Sequence, residues 1–316
     1  MKIKYLYMVT LLCLFVTACS NSDKQYDIVE STVITPDTLT PSDQDMINPD
    51  ATAPNESPPA ADSNSPGNSS ETEVDLSSYF DGFSGAAVFL DKSGNYTFYN
   101  KTACELRVSP CSTFKIISTL AAFEYDVVTP TQSVIAWDGT KWTYEAWNKD
   151  LTITEAFQSS CVWYYRKLID QIGKENMTDF INILNYGNCD ISQWEGSEFN
   201  SNPLIDGFWL ESSLLISPKE QVDVIQRIFE EKTGIDESNI SALKEMMYKG
   251  DTVGGIKIYG KTGTGRGGWF IGFYESDGDN TYFAVYLNEQ EEVNGLKAQE
   301  ITYSIMQGYL FKEPNV

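Results

Sequence analysis

Runs of apolar residues separated by short polar breaks begin soon after residue 80. Gly85–Leu90 has no polar side chain, which predicts a strand with both faces buried. Residues 91–94 have the composition of a turn, and residues 96–100 are predicted as a second strand, so the two strands form a hairpin. Beta patterns return near the C-terminus, at residues 256–259, 269–274 and 281–288.

Helical periodicity dominates the middle of the chain, from residue 112 to about residue 247. One helix has a clear start at Ser217, Pro218 and Glu220. The serine can cap the helix, the proline suits its first position, and the glutamate completes a capping box.

Strands at both ends of the chain with helices between them predict an α/β fold of the α+β type. An antiparallel sheet is expected from residues 80–110 and 250–316. Helices flank it, and a helical subdomain is expected over about 112–248. A last helix is predicted over residues 297–309, and the folded domain as a whole over residues 76–316.

The first residues have the pattern of an export signal. Lys2 and Lys4 precede a mostly apolar run over residues 5–16, which is shorter than the roughly 20 residues that span a bilayer. The segment ends in Val-Thr-Ala-Cys19, which resembles the lipobox of bacterial lipoproteins. We therefore expect a signal peptide over residues 1–18, lipidation of Cys19, and an exported protein anchored to the bacterial cell membrane. A plain signal peptide with a chance cysteine is the alternative.

Residues 19–75 have the composition of an acidic tether. Seven of the chain's twelve prolines lie there, and residues 20–75 hold twelve Asp and Glu against one Lys. Such a segment cannot bury enough apolar surface to offset its chain entropy. We expect a disordered linker between the folded domain and the lipid anchor, which is the only predicted contact with a membrane.

The charge and the missing histidine exclude several classes of function. The formal charge is −23, and this acidity repels nucleic acid, so no nucleic-acid partner is expected. The chain contains no histidine, which excludes a Ser-His-Asp triad and the usual His-ligated zinc site. No metal is expected, and a general base must be a lysine, a carboxylate or a tyrosine.

Ser112 and Lys115 stand three residues apart, just after Pro110. In a helix that starts at the serine, positions i and i+3 lie on one face, so the amine can reach the hydroxyl. A lysine with an ordinary pKa of about 10.4 is protonated at neutral pH, but burial among apolar groups lowers that pKa. A neutral lysine can activate a serine nucleophile. Taken alone, the same spacing is also typical of an ordinary helix start.

Four further motifs follow the Ser112 motif along the chain. With that motif first, the five are Pro110-Cys-Ser-Thr-Phe-Lys115, Ser160-Cys-Val162, Tyr186-Gly-Asn188, Phe208-Trp-Leu-Glu211 and Lys261-Thr-Gly263. In this order and at this spacing they resemble the class D serine β-lactamases, the oxacillinases, over about residues 76–316. The resemblance implies the fold shared by serine β-lactamases and penicillin-binding transpeptidases. It also implies hydrolysis of β-lactam antibiotics, which are small-molecule substrates, through a covalent acyl-enzyme.

The resemblance implies a chemical role for each matching residue. Ser112 would be the acylated nucleophile, and Lys115 would carry a carbamate, formed when its neutral amine takes up carbon dioxide. This N6-carboxylysine would be the general base for acylation and deacylation, with the Trp209 indole donating a hydrogen bond to it. Ser160 would relay a proton to the leaving nitrogen. Apart from carbon dioxide or bicarbonate, no cofactor is implied.

The resemblance also implies how the substrate is held. Lys261 and Thr262 would position its carboxylate, and Gly263 would let a ligand lie close to the strand. The backbone N–H groups of Ser112 and Thr264 would form the oxyanion hole. The family surrounds the lysine with apolar side chains, which here are Phe114, Val162, Trp209 and Leu210.

Two features depart from the family pattern. Residues 189–207 are longer than is usual, and we expect an insertion there at one rim of the cleft. Many relatives place an arginine early in the last helix, where it pairs with the substrate carboxylate, but this chain has Lys297 there. Either Lys297 replaces the arginine, without its bidentate geometry, or Arg266, just after the Lys-Thr-Gly motif, takes over. The sequence leaves both open.

The cysteines of the predicted domain allow two interpretations. Export would permit disulfides, and a bridge between Cys104 and Cys111 would close a short loop, but the sequence does not fix the connectivity. Small, buried apolar side chains are the alternative, and this applies also to Cys161 and Cys189.

Two other classes of protein share these motifs. They are β-lactam sensors, which are acylated without efficient turnover, and penicillin-binding transpeptidases or carboxypeptidases. Both usually have asparagine where this chain has Val162, and the sensors follow several membrane spans. Val162 therefore favours a hydrolase, with a penicillin-binding or β-lactam-sensing protein as the alternative.

Overall fold

The computed structural model describes residues 70–252 and 255–311. The predicted signal peptide, Cys19 and most of the predicted tether lie outside these residues. The strands are β1 (Glu71–Glu73), β2 (Gly85–Leu90), β3 (Tyr96–Tyr99), β4 (Tyr248–Asp251), β5 (Lys257–Thr264), β6 (Gly268–Ser276) and β7 (Asp279–Leu287). The α-helices are α1 (Ser77–Phe80), α2 (Lys101–Cys104), α3 (Lys115–Glu124), α4 (Ile153–Gln158), α5 (Val162–Ile172), α6 (Lys174–Ile183), α7 (Pro218–Phe229), α8 (Glu237–Met247) and α9 (Gly295–Ile305). Short 3-10 turns lie at Cys111–Phe114, Glu145–Trp147 and Pro203–Ile205, and a π-helical turn lies at Met306–Leu310.

The described strands form one sheet in the order β1-β3-β2-β7-β6-β5-β4. Neighbouring strands are antiparallel, except that β1 runs parallel to β3. The predicted fold class is confirmed, with a mixed rather than wholly antiparallel sheet. β2 and β3 are the predicted hairpin, and β5, β6 and β7 are the predicted late strands, each longer than predicted.

Strand β1 lies inside the segment that was predicted to be a tether. Glu71 pairs with Tyr96 and Glu73 with Phe98, and the N–H of Ser70 donates to Asn95 Oδ1 at 3.1 Å. The boundary predicted at residue 76 is therefore wrong, because the folded domain begins before it. All three residues of β1 are exposed, so they lack the apolar pattern on which strand prediction depends.

Alternate residues of β2 face two different cores. Ala86, Val88 and Leu90 belong to a large core that includes the buried faces of the middle helices. Ala87 and Phe89 belong to a smaller core shared with α1 and α9. Because side chains alternate along a strand, a central strand covered on both sides is apolar at every position.

Helix α7 starts at the predicted residues. Ser217 Oγ accepts a hydrogen bond from the Glu220 N–H at 3.2 Å, and Glu220 Oε2 accepts one from the Ser217 N–H at 2.9 Å. This confirms the capping box, with Pro218 at the first helical position. The last predicted helix is also present, as α9. Over residues 70–252 and 255–311, none of the helices combines the length and the apolar character that a membrane span needs.

Candidate active site

The hydroxyl of Ser112 stands in the first turn of a helical segment. The 3-10 turn at Cys111–Phe114 leads directly into α3. Cys111 has a left-handed φ of 48°, and its N–H donates to the Trp209 carbonyl at 3.0 Å. This conformation is uncommon for a residue other than glycine. It starts the helix so that Ser112 lies where backbone N–H groups have no carbonyl partners within the helix.

The segment around Ser112, residues 109–114 and here called the nucleophile turn, is held by buried hydrogen bonds. Thr113 Oγ1 donates to the Pro110 carbonyl at 2.7 Å and accepts from Gln221 Nε2 at 2.9 Å. Trp269 Nε1 donates to the Ser109 carbonyl at 2.9 Å. Bonds from α7 and β6 therefore fix this turn between the helical part and the sheet.

Lys115 contacts Ser112 as the spacing predicted. Its Nζ lies 2.9 Å from Ser112 Oγ, and the residue is 1% exposed. Burial lowers the pKa of Lys115 to about 8, because a charged ammonium loses its hydration there. At that pKa about a tenth of the molecules carry a neutral amine at pH 7, so the amine is available both as a base and for reaction with carbon dioxide.

Aromatic side chains surround the start of α3. The Phe114 ring stacks on Trp209 with centroids 6.2 Å apart and meets the rings of Tyr186 and Phe208 edge-on at 5.5 and 5.4 Å. All four residues are fully buried. Two of them, Phe114 and Trp209, were predicted from the motifs as apolar neighbours of the lysine.

One wall of the lysine pocket was not predicted as part of the site. Lys115 Nζ lies 5.2 Å from the centroid of the Tyr165 ring, and the Tyr165 hydroxyl is 2.7 Å from Thr119 Oγ1. Tyr165 lies one helical turn after Val162, the half-buried first residue of α5. This i+3 spacing from the Ser-Cys-Val motif was the available signal. Leu210, the remaining predicted neighbour, is buried.

Ser160 and Lys261 form a second serine–lysine pair. Lys261 Nζ donates to Ser160 Oγ at 3.0 Å and to the Thr262 carbonyl at 2.9 Å. Burial, with a smaller effect of the nearby Lys115, holds the pKa of Lys261 well below its ordinary value. Ser160 has a left-handed φ of 54°, so this serine, like Cys111, lies at a sharp local bend.

Gly263 brings β5 against the nucleophile turn. A Cβ atom at this position would lie 3.0 Å from Thr113 Cγ2 and 3.1 Å from the Pro110 carbonyl oxygen. The space beside this glycine was predicted to hold a ligand, but residues of the nucleophile turn fill it. The glycine is required for close approach of two protein segments, because it lets β5 lie against Pro110 and Thr113 of the nucleophile turn.

The two candidates for binding a carboxylate differ in their surroundings. Lys297 Nζ pairs with Glu300 at 2.7 Å, and this contact raises the pKa of Lys297. The guanidinium of Arg266 is exposed and has no ion pair within residues 70–252 and 255–311. Thr264 Oγ1 accepts from the Gly295 N–H at 2.9 Å, which ties the end of β5 to the start of α9.

The Tyr-Gly-Asn motif forms a structural turn. Gly187 has a φ of 57°, and a Cβ there would lie 2.0 Å from the Leu215 carbonyl oxygen. Asn188 donates to the Ser213 carbonyl at 2.8 Å and accepts from the Leu215 N–H at 2.9 Å. Tyr186 is buried, and its hydroxyl lies 3.4 Å from Gln221 Oε1. The motif thus supports the nucleophile turn through Gln221.

Gln221 was not among the predicted residues of the site. Its neighbours one and two turns along α7, Ile225 and Ile228, are buried. A glutamine within this apolar stripe was the available signal, because a buried polar side chain needs a specific partner.

Residues 189–207, called the insertion below, pack against the site rather than only lining its rim. Trp194 stacks on Phe208 with centroids 5.2 Å apart. Arg166 Nη1 donates to the Trp194 carbonyl at 2.7 Å, and Ser197 Oγ donates to the Glu211 carbonyl at 2.7 Å.

The four cysteines of the described residues are free thiols. The possible bridge between Cys104 and Cys111 is therefore wrong for this structure. Cys104, Cys111 and Cys161 are buried, and Cys189 is half-buried, in agreement with the alternative of small apolar side chains. Burial raises the pKa of Cys111 and of Cys161 to about 12, so neither is a thiolate at neutral pH.

Residues 68–307 match the family described as penicillin binding protein transpeptidase domain. The chain is 34% identical over 250 residues to the regulatory protein BlaR1 of Bacillus licheniformis, covering 76% of this chain and 39% of that protein. It is 33% identical over 245 residues to the probable β-lactamase YbxI of Bacillus subtilis, covering 75% of this chain and 85% of that protein. The chain thus spans about two fifths of the regulatory protein's length.

The similar solved structures also include a penicillin receptor and a β-lactamase. The C-terminal domain of the Bacillus licheniformis BlaR penicillin-receptor superimposes with a TM-score of 0.71 and 32% identity, covering 78% of this chain and 99% of that one. A class D β-lactamase from Bacillus subtilis superimposes with a TM-score of 0.68 and 32% identity, covering 76% and 98%.

Proposed function

The chain belongs to the class D serine β-lactamases, within the penicillin-binding protein transpeptidase family, and we propose that it hydrolyses β-lactam antibiotics through an acyl-enzyme on Ser112. One observation carries the proposal: the 2.9 Å contact between Lys115 Nζ and Ser112 Oγ in a buried pocket. A lysine with a pKa of about 8 can remove a proton that an ordinary ammonium cannot.

Acylation uses both serine–lysine pairs. Ser112 Oγ attacks the carbonyl carbon of the β-lactam while its proton passes to the Lys115 side chain. When the tetrahedral intermediate collapses, the ring C–N bond breaks and the nitrogen takes a proton from Ser160. Lys261, whose Nζ donates to Ser160 Oγ at 3.0 Å, stabilises the Ser160 oxygen, and the proton that the Lys115 side chain took from Ser112 replaces the one that Ser160 gave. Ser112 thereby becomes an ester, and the former ring nitrogen becomes an amine that remains part of the bound acyl group.

The developing oxyanion is stabilised by the backbone N–H groups of Ser112 and Thr264. The close approach at Gly263, 3.0 Å from a Cβ at that position to Thr113 Cγ2, supports this pairing because it draws the two backbones together. One such donor typically contributes about 3 kcal/mol in the transition state.

Deacylation requires a base that activates water, and we assign this role, like that of the base in acylation, to carboxylated Lys115. The residues present suit the group, since Lys115 is 1% exposed and forms no ion pair within the described part of the chain. When bound, carbon dioxide gives the lysine an anionic oxygen that accepts a proton at neutral pH. The buried rings of Phe114 and Trp209 keep bulk water from the amine, and the Trp209 indole is assigned as a hydrogen-bond donor to the group.

A β-lactam sensor is the second candidate, and the similarity to BlaR1 favours it. A sensor forms the same ester on Ser112 but keeps it. Val162 favours turnover, because β-lactam sensors usually have a polar asparagine at this position, whereas an apolar side chain offers the Lys115 amine no competing hydrogen bond.

Nitrocefin turnover by the full-length protein separates the two functions. A hydrolase converts many molecules of substrate per molecule of protein and does so faster with bicarbonate. A sensor gives a single stoichiometric burst and then stops. Sustained turnover supports the proposed function, whereas a burst without turnover assigns the protein to the sensors.

Arg266 is assigned as the anchor of the substrate carboxylate, because the Lys297 amine is already paired with Glu300. Arg266→Ala is therefore expected to raise KM for penicillins about tenfold with a smaller change in kcat. Lys297→Ala is the matched control and is expected to change KM less than about twofold, since the Lys297 amine pairs with Glu300 rather than with the substrate. Steady-state kinetics of both variants test the assignment, and the reverse order of effects would transfer the role to Lys297.

We place the protein at the bacterial membrane through a lipid on Cys19. The support is the sequence alone: a positive end, a short apolar run and a lipobox. Two or three acyl chains anchor a protein stably where one does not. Fractionation is expected to find the full-length protein in membranes and Cys19→Ala in the soluble fraction. Identical partitioning of the two would exclude lipid anchoring.

A further inference from the structure

Glu211 joins three parts of the site through separate atoms. Its Oε1 accepts hydrogen bonds from the Arg266 N–H at 2.8 Å and from the Cys111 thiol at 3.5 Å. Its own N–H donates to Ser109 Oγ at 2.8 Å, and its carbonyl accepts from Ser197 Oγ at 2.7 Å. One residue therefore bonds to the nucleophile turn, to the β5–β6 hairpin and to the insertion.

The backbone around this carboxylate is shaped to receive it. A Cβ atom at Gly265 would lie 2.1 Å from Glu211 Oε1 and 2.5 Å from Cys111 Sγ, so the carboxylate and the thiol reach the hairpin only because residue 265 is glycine. Glu211 itself has a left-handed φ of 49°. Strained backbone of this kind persists where the surrounding contacts hold it, and it is concentrated at functional sites.

The groups that Glu211 joins flank the two donors of the oxyanion hole. Cys111 immediately precedes Ser112, and Arg266 follows Thr264 by two residues. The Ser112 and Thr264 N–H groups come from different segments, so their spacing depends on how the hairpin is held against the nucleophile turn. Such donors act only when they are fixed in the right place, and displacement by about 1 Å can cost 10²-fold in rate.

We propose that Glu211 is a positioning residue whose carboxylate holds the β5–β6 hairpin against the nucleophile turn and thereby sets the geometry of the oxyanion hole. This role rests on the proposed function, because it concerns the same reaction. Both partners of Oε1, the Arg266 N–H and the Cys111 S–H, are donors. The requirement is therefore for an acceptor oxygen at this place, and a negative charge is not needed.

The test compares substitutions that separate the acceptor oxygen from side-chain length and charge. Glu211→Gln keeps the length and an acceptor oxygen, whereas Glu211→Met keeps the length and removes the oxygen. Glu211→Met is expected to lower kcat for nitrocefin about 10- to 100-fold with less than about a threefold change in KM. Glu211→Gln is expected to stay within about threefold of the wild type.

The affinity of a boronic acid depends directly on the geometry of the oxyanion hole. 3-Nitrophenylboronic acid forms a tetrahedral adduct with a serine, resembles the transition state and has no carboxylate for Arg266 to bind. Glu211→Met is expected to weaken its binding about tenfold, and Glu211→Gln to leave it unchanged. A general loss of stability would lower the melting temperature of both variants without this selective effect on the adduct.

Glu198 provides a matched control. It is an exposed glutamate of the insertion with a left-handed φ of 63°, and Glu198→Met is expected to leave kcat and boronic-acid affinity unchanged. Gly265→Ala approaches the same contact from the other side, since the added methyl group must displace the carboxylate. It is expected to lower kcat and boronic-acid affinity as Glu211→Met does, and it keeps the test decisive if Glu211→Met does not fold.

Two results would overturn the role of Glu211. One is a Glu211→Met protein, or, if that does not fold, a Gly265→Ala protein, with kcat and boronic-acid affinity within about threefold of the wild type. The other is an equal loss in Glu211→Gln and Glu211→Met. A wild-type protein that binds the boronic acid but shows no turnover would contradict the proposed function instead, and the boronic-acid comparison would still test Glu211.

Discussion

Ser112→Ala is expected to abolish β-lactam turnover while the fold is kept. Ser112 Oγ is the atom that Lys115 Nζ contacts at 2.9 Å, and alanine leaves no oxygen to form the ester. The remaining oxyanion donors and binding groups cannot replace a nucleophile, so we expect kcat to fall by at least about 10³-fold. Nitrocefin kinetics measure the loss, and mass spectrometry of the protein mixed with penicillin shows whether an adduct forms.

Ser118 supplies a control on the same helix. Its buried hydroxyl donates to the Phe114 carbonyl at 3.1 Å, so Ser118→Ala is expected to cost about 1 kcal/mol of stability and to keep turnover. Circular dichroism checks that both variants are folded. Turnover above a few per cent in Ser112→Ala, or a penicillin adduct that maps to Ser160, would contradict the assignment of the nucleophile.

The residues of the site that sequence could predict are those whose chemistry depends on local spacing. Ser112 and Lys115 lie one helical turn apart, and their contact follows from helix geometry once a helix starts there. The hairpin of β2 and β3 and the capping box of α7 are equally local. Each depends on residues within a short window, where periodicity and capping rules apply.

What could not be predicted depends on contacts between distant segments. The left-handed conformations of Cys111 and Ser160 leave no signature in residue type, because neither is glycine. The hydrogen bond from Gln221 to Thr113 joins residues more than a hundred positions apart. Strand β1 is polar and exposed, so only its partner β3 makes it a strand. Gly263 was predicted to make room for a ligand. It makes room for the nucleophile turn instead, and that contact is visible only in the fold.

Lys115 is expected to make activity depend on both pH and dissolved carbon dioxide. Only the neutral amine reacts with carbon dioxide, and burial lowers the pKa of Lys115 to about 8. Below that pH the neutral fraction falls about tenfold per unit, so the carbamate is lost as the solution becomes acidic and forms again as the pH rises. Activity is expected to fall on the acid side and to return when bicarbonate is added.

A spectroscopic reading of the carbamate does not depend on activity. Carbon-13 NMR of protein equilibrated with labelled bicarbonate is expected to show one carbamate signal that disappears in Lys115→Ala. Trp209→Ala is expected to weaken that signal at a given bicarbonate concentration, because it removes a proposed donor and admits water beside the amine. The bicarbonate concentration that restores half of the activity should rise in parallel.

A charge placed at Val162 gives the sharpest test of the mechanism. Val162→Asp would put a carboxylate at the start of α5, beside the lysine pocket, and an anion there raises the pKa of Lys115 and holds it as an ammonium. Near neutral pH the carbamate signal is expected to disappear and turnover to fall by about 10²-fold or more. Both are expected to return partly in alkaline solution. Val162→Thr has nearly the same shape without the charge and is expected to keep both. The carbamate mechanism is contradicted if active wild-type enzyme shows no carbamate signal and bicarbonate restores the activity of neither acid-treated protein nor Trp209→Ala. Lys115 then works as a free amine, because a buried lysine with a pKa of about 8 can remove the Ser112 proton without carbon dioxide.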